Sequence, residues 1–186
     1  MRHTIALPRE RGFTLVELLI VIAILAVLSV TVVVVLNPAE LLRQGRDSRR
    51  LSDVNSIHRA LSIFLVDQSG ATWTDTSQCT VGTASPMTGA CTTNSATNVT
   101  GTGWVNVNLA AITGGSPLSS LPLDPVNDAT NYYAFERTSI LTYEIDANME
   151  SAKYVSGGGS DVESNNKDGG NNGIWYEVGN DAALDL

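Results

Sequence analysis

Histidine, cysteine and aromatic residues are scarce in this chain of 186 residues. It contains two histidines, two cysteines and only 6% aromatic residues. His3 lies close to the amino terminus, so His58 is the only histidine in the rest of the chain. The chain therefore has few of the His and Cys residues that a Ser/His/Asp triad, a Cys/His pair or a cluster of zinc ligands requires. We therefore predict that the protein is not an enzyme, with no catalytic residue and no cofactor.

Basic residues are nearly missing from the distal part of the chain. From Asp67 to the carboxyl terminus there are 14 Asp and Glu residues against three basic ones, and the whole chain carries a net charge of −8. Binding to a phosphate backbone depends on Lys and Arg side chains. We therefore expect no direct nucleic-acid partner for this acidic region.

One long apolar run follows a short basic leader. Residues 18–36 are apolar except for Ser29 and Thr31, and this length is roughly what a helix needs to cross the hydrocarbon core of a bilayer. Glu17 stands at the start of the run. A carboxylate inside such a helix costs on the order of 3 kcal/mol on insertion scales and is a functional residue by default. The charge of Glu17 therefore needs a partner.

The leader, residues 1–12, has no apolar core of its own. A secretory signal places its apolar core ahead of the cleavage site and loses it on cleavage, whereas here the apolar run comes afterwards. Cleavage between Gly12 and Phe13 would remove the leader and keep the helix, residues 13–36, in the membrane. The arginines of the leader are expected to hold the amino terminus in the cytoplasm, so that the chain crosses the inner membrane once and the remainder lies outside.

The stretch GFTLVELLIVIAILAVL, residues 12–28, resembles the amino-terminal segment of type IV pilins and type II secretion pseudopilins. The matching features are a basic leader that ends in Gly12, Phe13 as the new first residue, and Glu17 at the fifth mature position. The resemblance implies cleavage by a prepilin peptidase and N-methylation of Phe13. It also implies that the helices assemble into a filament, with Phe13 and Glu17 contributing to subunit assembly.

The function that this resemblance implies is that of a structural subunit in a type IV pilus-like filament. The subunit would be stored in the cytoplasmic membrane and then enter an extracellular or periplasmic filament. Its implied partners are the prepilin peptidase, other copies of itself, minor pilins, assembly platform proteins and inner-membrane lipid. Two alternatives remain: the major pseudopilin of a type II secretion system, or a minor tip pilin that binds surfaces. Trp73 and Trp104 are the candidate binding residues for the second.

Residues 37–69 predict a second, amphipathic helix. Asn37, Pro38 and Glu40 have the spacing of a capping box with proline at the first helical position. Apolar residues then recur at spacings of three and four and form one stripe: Leu51, Val54, Ile57, Leu61 and Phe64 or Leu65. Five arginines fall largely off this stripe and form either a solvated face or a contact with acidic surfaces of neighbouring copies: Arg43, Arg46, Arg49, Arg50 and Arg59.

The remainder, residues 70–186, is predicted to be an exported region with a small sheet. Residues 70–103 are rich in Thr, Ser and Gly and are expected to form a loop. Cys79 and Cys91 lie in this loop, and in an exported region a disulfide is favoured over two thiols. Closing a loop of this size would contribute roughly 3 kcal/mol.

Alternating apolar residues predict strands at 105–109, an antiparallel hairpin over 133–145, and a last strand at 174–179. Together with the amphipathic helix these strands indicate an α+β fold: a long amino-terminal helix, half in the membrane and half amphipathic, packed on a small antiparallel sheet. In residues 157–173, Asp161 and Asp168 lie in a Gly/Asn-rich loop where oxygen ligands could converge on calcium. A solvated loop is the simpler interpretation, and no metal site is assigned.

Overall fold

The computed structural model describes residues 12–82, 86, 90–182 and 184–186. The predicted leader therefore lies outside the described residues, apart from Gly12. The chain divides into two compact units, Met1–Ala39 and Glu40–Leu186. The first unit contains helix α1, and the second contains nearly all of helix α2 together with a five-stranded sheet.

Helix α1 spans Leu15–Leu36, a length of 22 residues. Thr14 is its N-cap, and its Oγ1 accepts a hydrogen bond from the backbone N–H of Glu17. Ser29 and Thr31, the two polar residues of the apolar run, donate their hydroxyl hydrogens to the carbonyls four residues earlier, Leu25 O and Val27 O. The helix ends where Asn37 adopts a left-handed conformation with a φ of 40°.

Helix α2 spans Pro38–Asp67, with proline at its first position. The predicted apolar stripe is confirmed, because the apolar residues that α2 buries are Val54, Ile57, Ala60, Leu61 and Phe64. The expected capping box is wrong. Asn37 is the C-cap of α1, and the side chain of Glu40 accepts a hydrogen bond from Gln44 and faces Arg43 at 3.8 Å.

The sheet has the strand order β2-β1-β3-β4-β5. Its strands are β1 Thr76–Cys79, β2 Thr92–Thr93, β3 Tyr133–Arg137, β4 Tyr143–Ala147 and β5 Tyr176–Gly179. Strands β3 and β4 form the predicted hairpin, with Phe135 opposite Ile145. Every pairing is antiparallel except that between β1 and β2, so the sheet is mixed rather than purely antiparallel. The α+β layout is confirmed.

The first face of the sheet packs with α2 in the main core. Alternate residues of β3 and β4 supply this face, among them Tyr133, Phe135, Tyr143 and Ile145. The second face carries the residues between them, and Cys79, Tyr132, Ala134 and Trp175 form a smaller apolar cluster there with Cys91. Because both faces are covered, polar residues on the second face are removed from water.

Two strand predictions from the sequence are corrected. Residues 105–109 do bury Val105, Val107 and Leu109, but they form no strand: the segment has a single bridge between Thr100 and Asn108 and then a 3₁₀ turn, Leu109–Ala111. Conversely, the segment 70–103, which the sequence predicts to be a loop, contains β1 and β2. The ladder between β1 and β3 orders this polar segment.

Candidate functional site

The predicted cleavage bond lies directly ahead of α1. Gly12, Phe13 and Thr14 precede the helix without regular secondary structure, and Phe13 is 90% exposed. A Cβ atom added at Gly12 would meet no atom within 4 Å. The fold of the chain therefore does not itself require glycine at this position, and the bond between Gly12 and Phe13 is accessible.

Glu17 forms a capping box with Thr14. Its Oε2 accepts hydrogen bonds from the Thr14 backbone N–H at 2.9 Å and from the Thr14 hydroxyl at 2.8 Å. In the uncut chain the nitrogen of Phe13 is a peptide amide and carries no charge. The carboxylate therefore has hydrogen-bond donors in its own chain but no cationic partner among the described residues.

The surface of α1 is apolar all round and exposed in the described part of the chain. The helix buries none of its residues, and its large apolar side chains are 51–78% exposed. Among the described residues, one candidate membrane span is long and apolar enough by length and composition, and it falls within Leu15–Asp67, the range of α1 and α2. A helix that is apolar on every side needs lipid or other helices around it.

Four arginines of α2 contact acidic residues of their own chain: Arg43, Arg46, Arg49 and Arg50. Arg50 is fully buried and its guanidinium forms a bidentate pair with Asp124, at 2.5 Å from Nε and 2.9 Å from Nη2. Its Nη1 lies 2.7 Å from Asp47 and 2.5 Å from Glu150. Arg46 also binds Glu150. The two interpretations of these residues as solvated or as contacts between copies are therefore wrong for Arg50.

This buried network fixes two loops on α2. Asp124 lies in the proline-containing turn 120–128 and also accepts the N–H groups of Val126 and Asn127. Asp47 accepts N–H groups from Glu150 and Ser151, which follow β4. The arginine–carboxylate pairs therefore hold both the turn and the end of the hairpin against the helix.

The disulfide of the distal region joins Cys79 and Cys91, the pair predicted from the sequence. Cys79 is the last residue of β1, and Cys91 immediately precedes β2. Both are buried in the apolar cluster of the second face. The crosslink therefore holds the start of the short edge strand β2 against β1.

A carboxylate cluster, Glu144, Asp146 and Glu177, lies on the second face of the sheet. Glu144 and Asp146 alternate along β4, and Glu177 of β5 stands opposite Asp146. All three are 0–2% exposed, and one carboxylate oxygen from each lies within 4.8 Å of the others. Burial raises the pKa of Glu144 and of Glu177, and burial together with the charge of Glu144 raises the pKa of Asp146 well above its usual range.

Sequence reasoning missed this cluster. The alternation in Tyr143–Ala147 does place Glu144 and Asp146 on one face, but alternation alone is typical of a sheet whose polar face is solvated. The covering of this face comes from distant residues: Leu186 N–H donates to Glu144 at 3.2 Å, and Asn172 N–H donates to Glu177 at 2.9 Å. No local pattern signals such contacts.

In residues 157–173, the two carboxylates considered for calcium, Asp161 and Asp168, accept hydrogen bonds from backbone groups nearby. Asp161 accepts backbone N–H groups of Gly157, Glu163 and Ser164 as well as the Ser164 hydroxyl. The Ser164 and Gly157 hydrogen bonds lower the pKa of Asp161 to about 2. Asp168 accepts N–H groups of Gly170 and Glu177. These bonds engage both carboxylates within the loop, and calcium binding there stays a prediction.

The other residues singled out in the sequence have contacts within the fold. Trp73 is 7% exposed and stacks on Phe64, while Trp104 is fully buried and donates its Nε1–H to Pro122 O at 2.9 Å. His58 Nδ1 lies 3.1 Å from the hydroxyl of Tyr143, and burial lowers its pKa. Neither tryptophan provides an exposed aromatic surface.

Comparison with known protein families identifies the amino-terminal segment. A family model described as the prokaryotic N-terminal methylation motif matches residues 7–33. This motif is the prepilin signature of type IV pilins and pseudopilins, and it supports a type IV pilin-like or pseudopilin subunit. It implies processing by a prepilin peptidase and a membrane-anchored precursor. Comparisons with curated proteins and with solved structures give no significant match.

Proposed function

We propose that the mature chain is a structural subunit of a type IV pilus-like filament, stored in the inner membrane through α1 before assembly. The observation that carries this proposal is the conjunction in one segment of an accessible Gly12–Phe13 bond, a carboxylate at Glu17 and an uncovered apolar helix. Lipid covers such a helix before assembly. Helices of neighbouring subunits cover it afterwards.

Processing gives Glu17 a partner that the precursor lacks. Cleavage after Gly12 turns the nitrogen of Phe13 into an α-amino group, which methylation leaves cationic. This group can neutralise Glu17 in its own helix, since residues four apart share a face. It can also meet the Glu17 of a neighbouring subunit that is shifted along the filament axis.

We favour the pairing between subunits because it sets the stagger of the helices. Apolar surfaces that run all round a helix specify its axial position poorly. An unlike-charge pair in a medium of low dielectric constant is attracted far more strongly than in water. Only one stagger brings Glu17 to a neighbour's Phe13 amine, so assembly follows cleavage and adopts one register.

Three variants of Glu17 test this function at equal expression. Glu17→Ala removes both the charge and the capping box. Glu17→Gln keeps a side chain that fits the capping box but removes the charge, so it is the matched control. Glu17→Asp keeps the charge with a shorter reach.

We expect all three variants to insert and to be cleaved after Gly12, as mass spectrometry of Phe13 would show. Filament yield by electron microscopy should fall severely for Glu17→Ala and Glu17→Gln and lie in between for Glu17→Asp. Wild-type filaments from Glu17→Gln would show that the cap, not the charge, is what assembly needs. An intact Met1 start in the membrane form would overturn the whole function.

A pseudopilin of a type II secretion system would use the same segment in the same way. The genes beside this one test the distinction, because a secretion system is expected to be encoded together with its secretion partners. A surface-binding tip pilin receives less support, since Trp73 and Trp104 are buried and the distal region is acidic.

A further inference from the structure

The carboxylate cluster on the second face of the sheet forms no ion pair among the described residues. Asp146 and Glu177 stand directly opposite each other on β4 and β5, and like charges in that position destabilise a sheet. None of the ion pairs formed by the described residues includes Glu144, Asp146 or Glu177. Residues 83–85, 87–89 and 183, the part of the second unit that the structure does not describe, contain no Lys, Arg or His.

Asp146 is the central and least satisfied member of the cluster. It is fully buried, and neither of its carboxylate oxygens accepts a hydrogen bond from an N–H or hydroxyl donor of the described residues. Its side-chain neighbour within hydrogen-bond reach is another carboxyl group, that of Glu144. Glu144 and Glu177 each accept one backbone N–H, from Leu186 and Asn172, which leaves further lone pairs on both. A buried carboxylate without donors costs free energy unless a cation or a proton occupies its surroundings.

We propose that Glu144, Asp146 and Glu177 together bind one calcium ion on the second face of the sheet. Their ligand oxygens lie within 4.8 Å of one another. Two oxygens on opposite sides of a calcium ion are about 5 Å apart, since each Ca–O distance is about 2.3–2.6 Å. The three carboxylates therefore reach a common calcium ion from where they stand.

Calcium suits these ligands better than magnesium. All three are oxygen donors on two rigid strands, and calcium accepts irregular coordination with six to eight oxygens. Three carboxylates in mixed one- and two-oxygen modes supply most of that number. Magnesium demands near-ideal octahedral geometry at shorter distances and keeps several waters, which buried strands accommodate poorly.

Small residues pack against the cluster on both sides. In the cross-strand row through Asp146 the next residue on β3 is Ala134. On the other side Gly170 approaches the Glu177 carboxylate so closely that a Cβ atom there would collide with it. The proposed ligands lie on strands β4 and β5 and do not include Asp161 or Asp168 of the 157–173 loop.

Calcium titration of the full chain in detergent micelles, after removal of divalent ions with EGTA, tests the proposal. We expect one calcium ion to bind per chain. At a concentration of about one hundred times Kd, the midpoint of thermal unfolding should rise by roughly 5–10 °C. Magnesium at the same concentrations should give a smaller shift.

Asp146→Asn and Asp161→Asn are the two informative variants. Asp146→Asn should lose the calcium-dependent shift, yet without calcium it should be at least as stable as the wild type, because one buried like charge is gone. This opposite response distinguishes a lost ligand from a damaged fold. Asp161→Asn should keep the shift, whatever its effect on basal stability.

Two outcomes would overturn the calcium site. If the wild type shows no calcium response, the three carboxyl groups share protons instead of a metal ion. If Asp161→Asn abolishes the response and Asp146→Asn retains it, calcium binds in the 157–173 loop. Neither outcome bears on filament assembly, which depends on residues of the first unit.

Discussion

Arg50 should be among the most costly residues of the distal unit to replace. Arg50→Leu removes the guanidinium and leaves three carboxylates, Asp47, Asp124 and Glu150, without it. Breaking a buried ion pair by deleting one partner costs about 3–5 kcal/mol, because the remaining charge is buried and uncompensated. For a chain of this size the loss corresponds to a fall of roughly 6–20 °C in the unfolding midpoint.

Arg49→Leu is the matched control, since it changes the adjacent residue in the same way. The side chain of Arg49 is 62% exposed and lies 3.5 Å from Asp53 across one helical turn. Such a surface pair contributes about 0.3–0.5 kcal/mol. The predicted difference between the two variants is therefore several kcal/mol, although both lose one arginine from the same helix.

Urea unfolding followed by tryptophan fluorescence measures this difference in the full chain. The three tryptophans, Trp73, Trp104 and Trp175, are all buried in the second unit, so the signal reports that unit and not α1. If the unfolding free energy of Arg50→Leu lies within about 1 kcal/mol of that of Arg49→Leu, the Arg50 carboxylates do not behave as buried, uncompensated charges, and the reasoning is refuted.

Three further predictions concern processing, the crosslink and pH. Gly12→Ala should leave α1 intact, because no described atom lies within 4 Å of a Cβ added there. It should nevertheless reduce cleavage, measured as uncut precursor on a gel, because on the proposed function the prepilin peptidase recognises this glycine. Replacing Cys79 and Cys91 by Ser should lower the unfolding free energy by roughly 3 kcal/mol in urea titrations without affecting membrane insertion. Burial raises the pKa of Glu163 to about 7, so the folded state holds a proton that the unfolded state releases. Its contribution to stability should therefore be lost as pH rises from about 4.5 through 7, and Glu163→Gln should remove that contribution while the buried cluster keeps its own.

The elements that the sequence predicted are those whose pattern is local. In α2, apolar residues at spacings of three and four reach the core, and in the hairpin the alternation of Phe135 and Ile145 with polar residues matches the observed register. Both patterns describe which side of an element is buried. Neither requires knowledge of the residues that do the covering.

The elements that the sequence missed depend on partners far away in the chain. Val107 and its neighbours alternate as a strand would and are buried, but no described strand pairs with them, so the alternation predicted burial correctly and pairing wrongly. Strand β1 is polar and owes its conformation to its ladder with β3. The carboxylate cluster also depends on distant residues. The alternating pattern predicts that Glu144 and Glu177 face solvent, but backbone N–H groups of Leu186 and Asn172 bind them in the folded chain.

Glu17 and the carboxylate cluster pose the same physical problem in different units of the chain. Asp146 is buried by the fold, and Glu17 would be removed from water by the membrane of the proposed function, so an unpaired charge is costly in both places. Neither carboxylate forms an ion pair with a cation among the described residues. For Glu17 the Thr14 donors stabilise the precursor, and on the proposed function cleavage then creates the cation at Phe13. For Asp146 the described residues offer no donor, so its partner must enter from solution as a proton or a metal ion. On the proposed function, the first partner appears only after processing, so cleavage would be the step that permits ordered assembly. The second partner depends on the pH and the divalent ions of the solution around the distal unit.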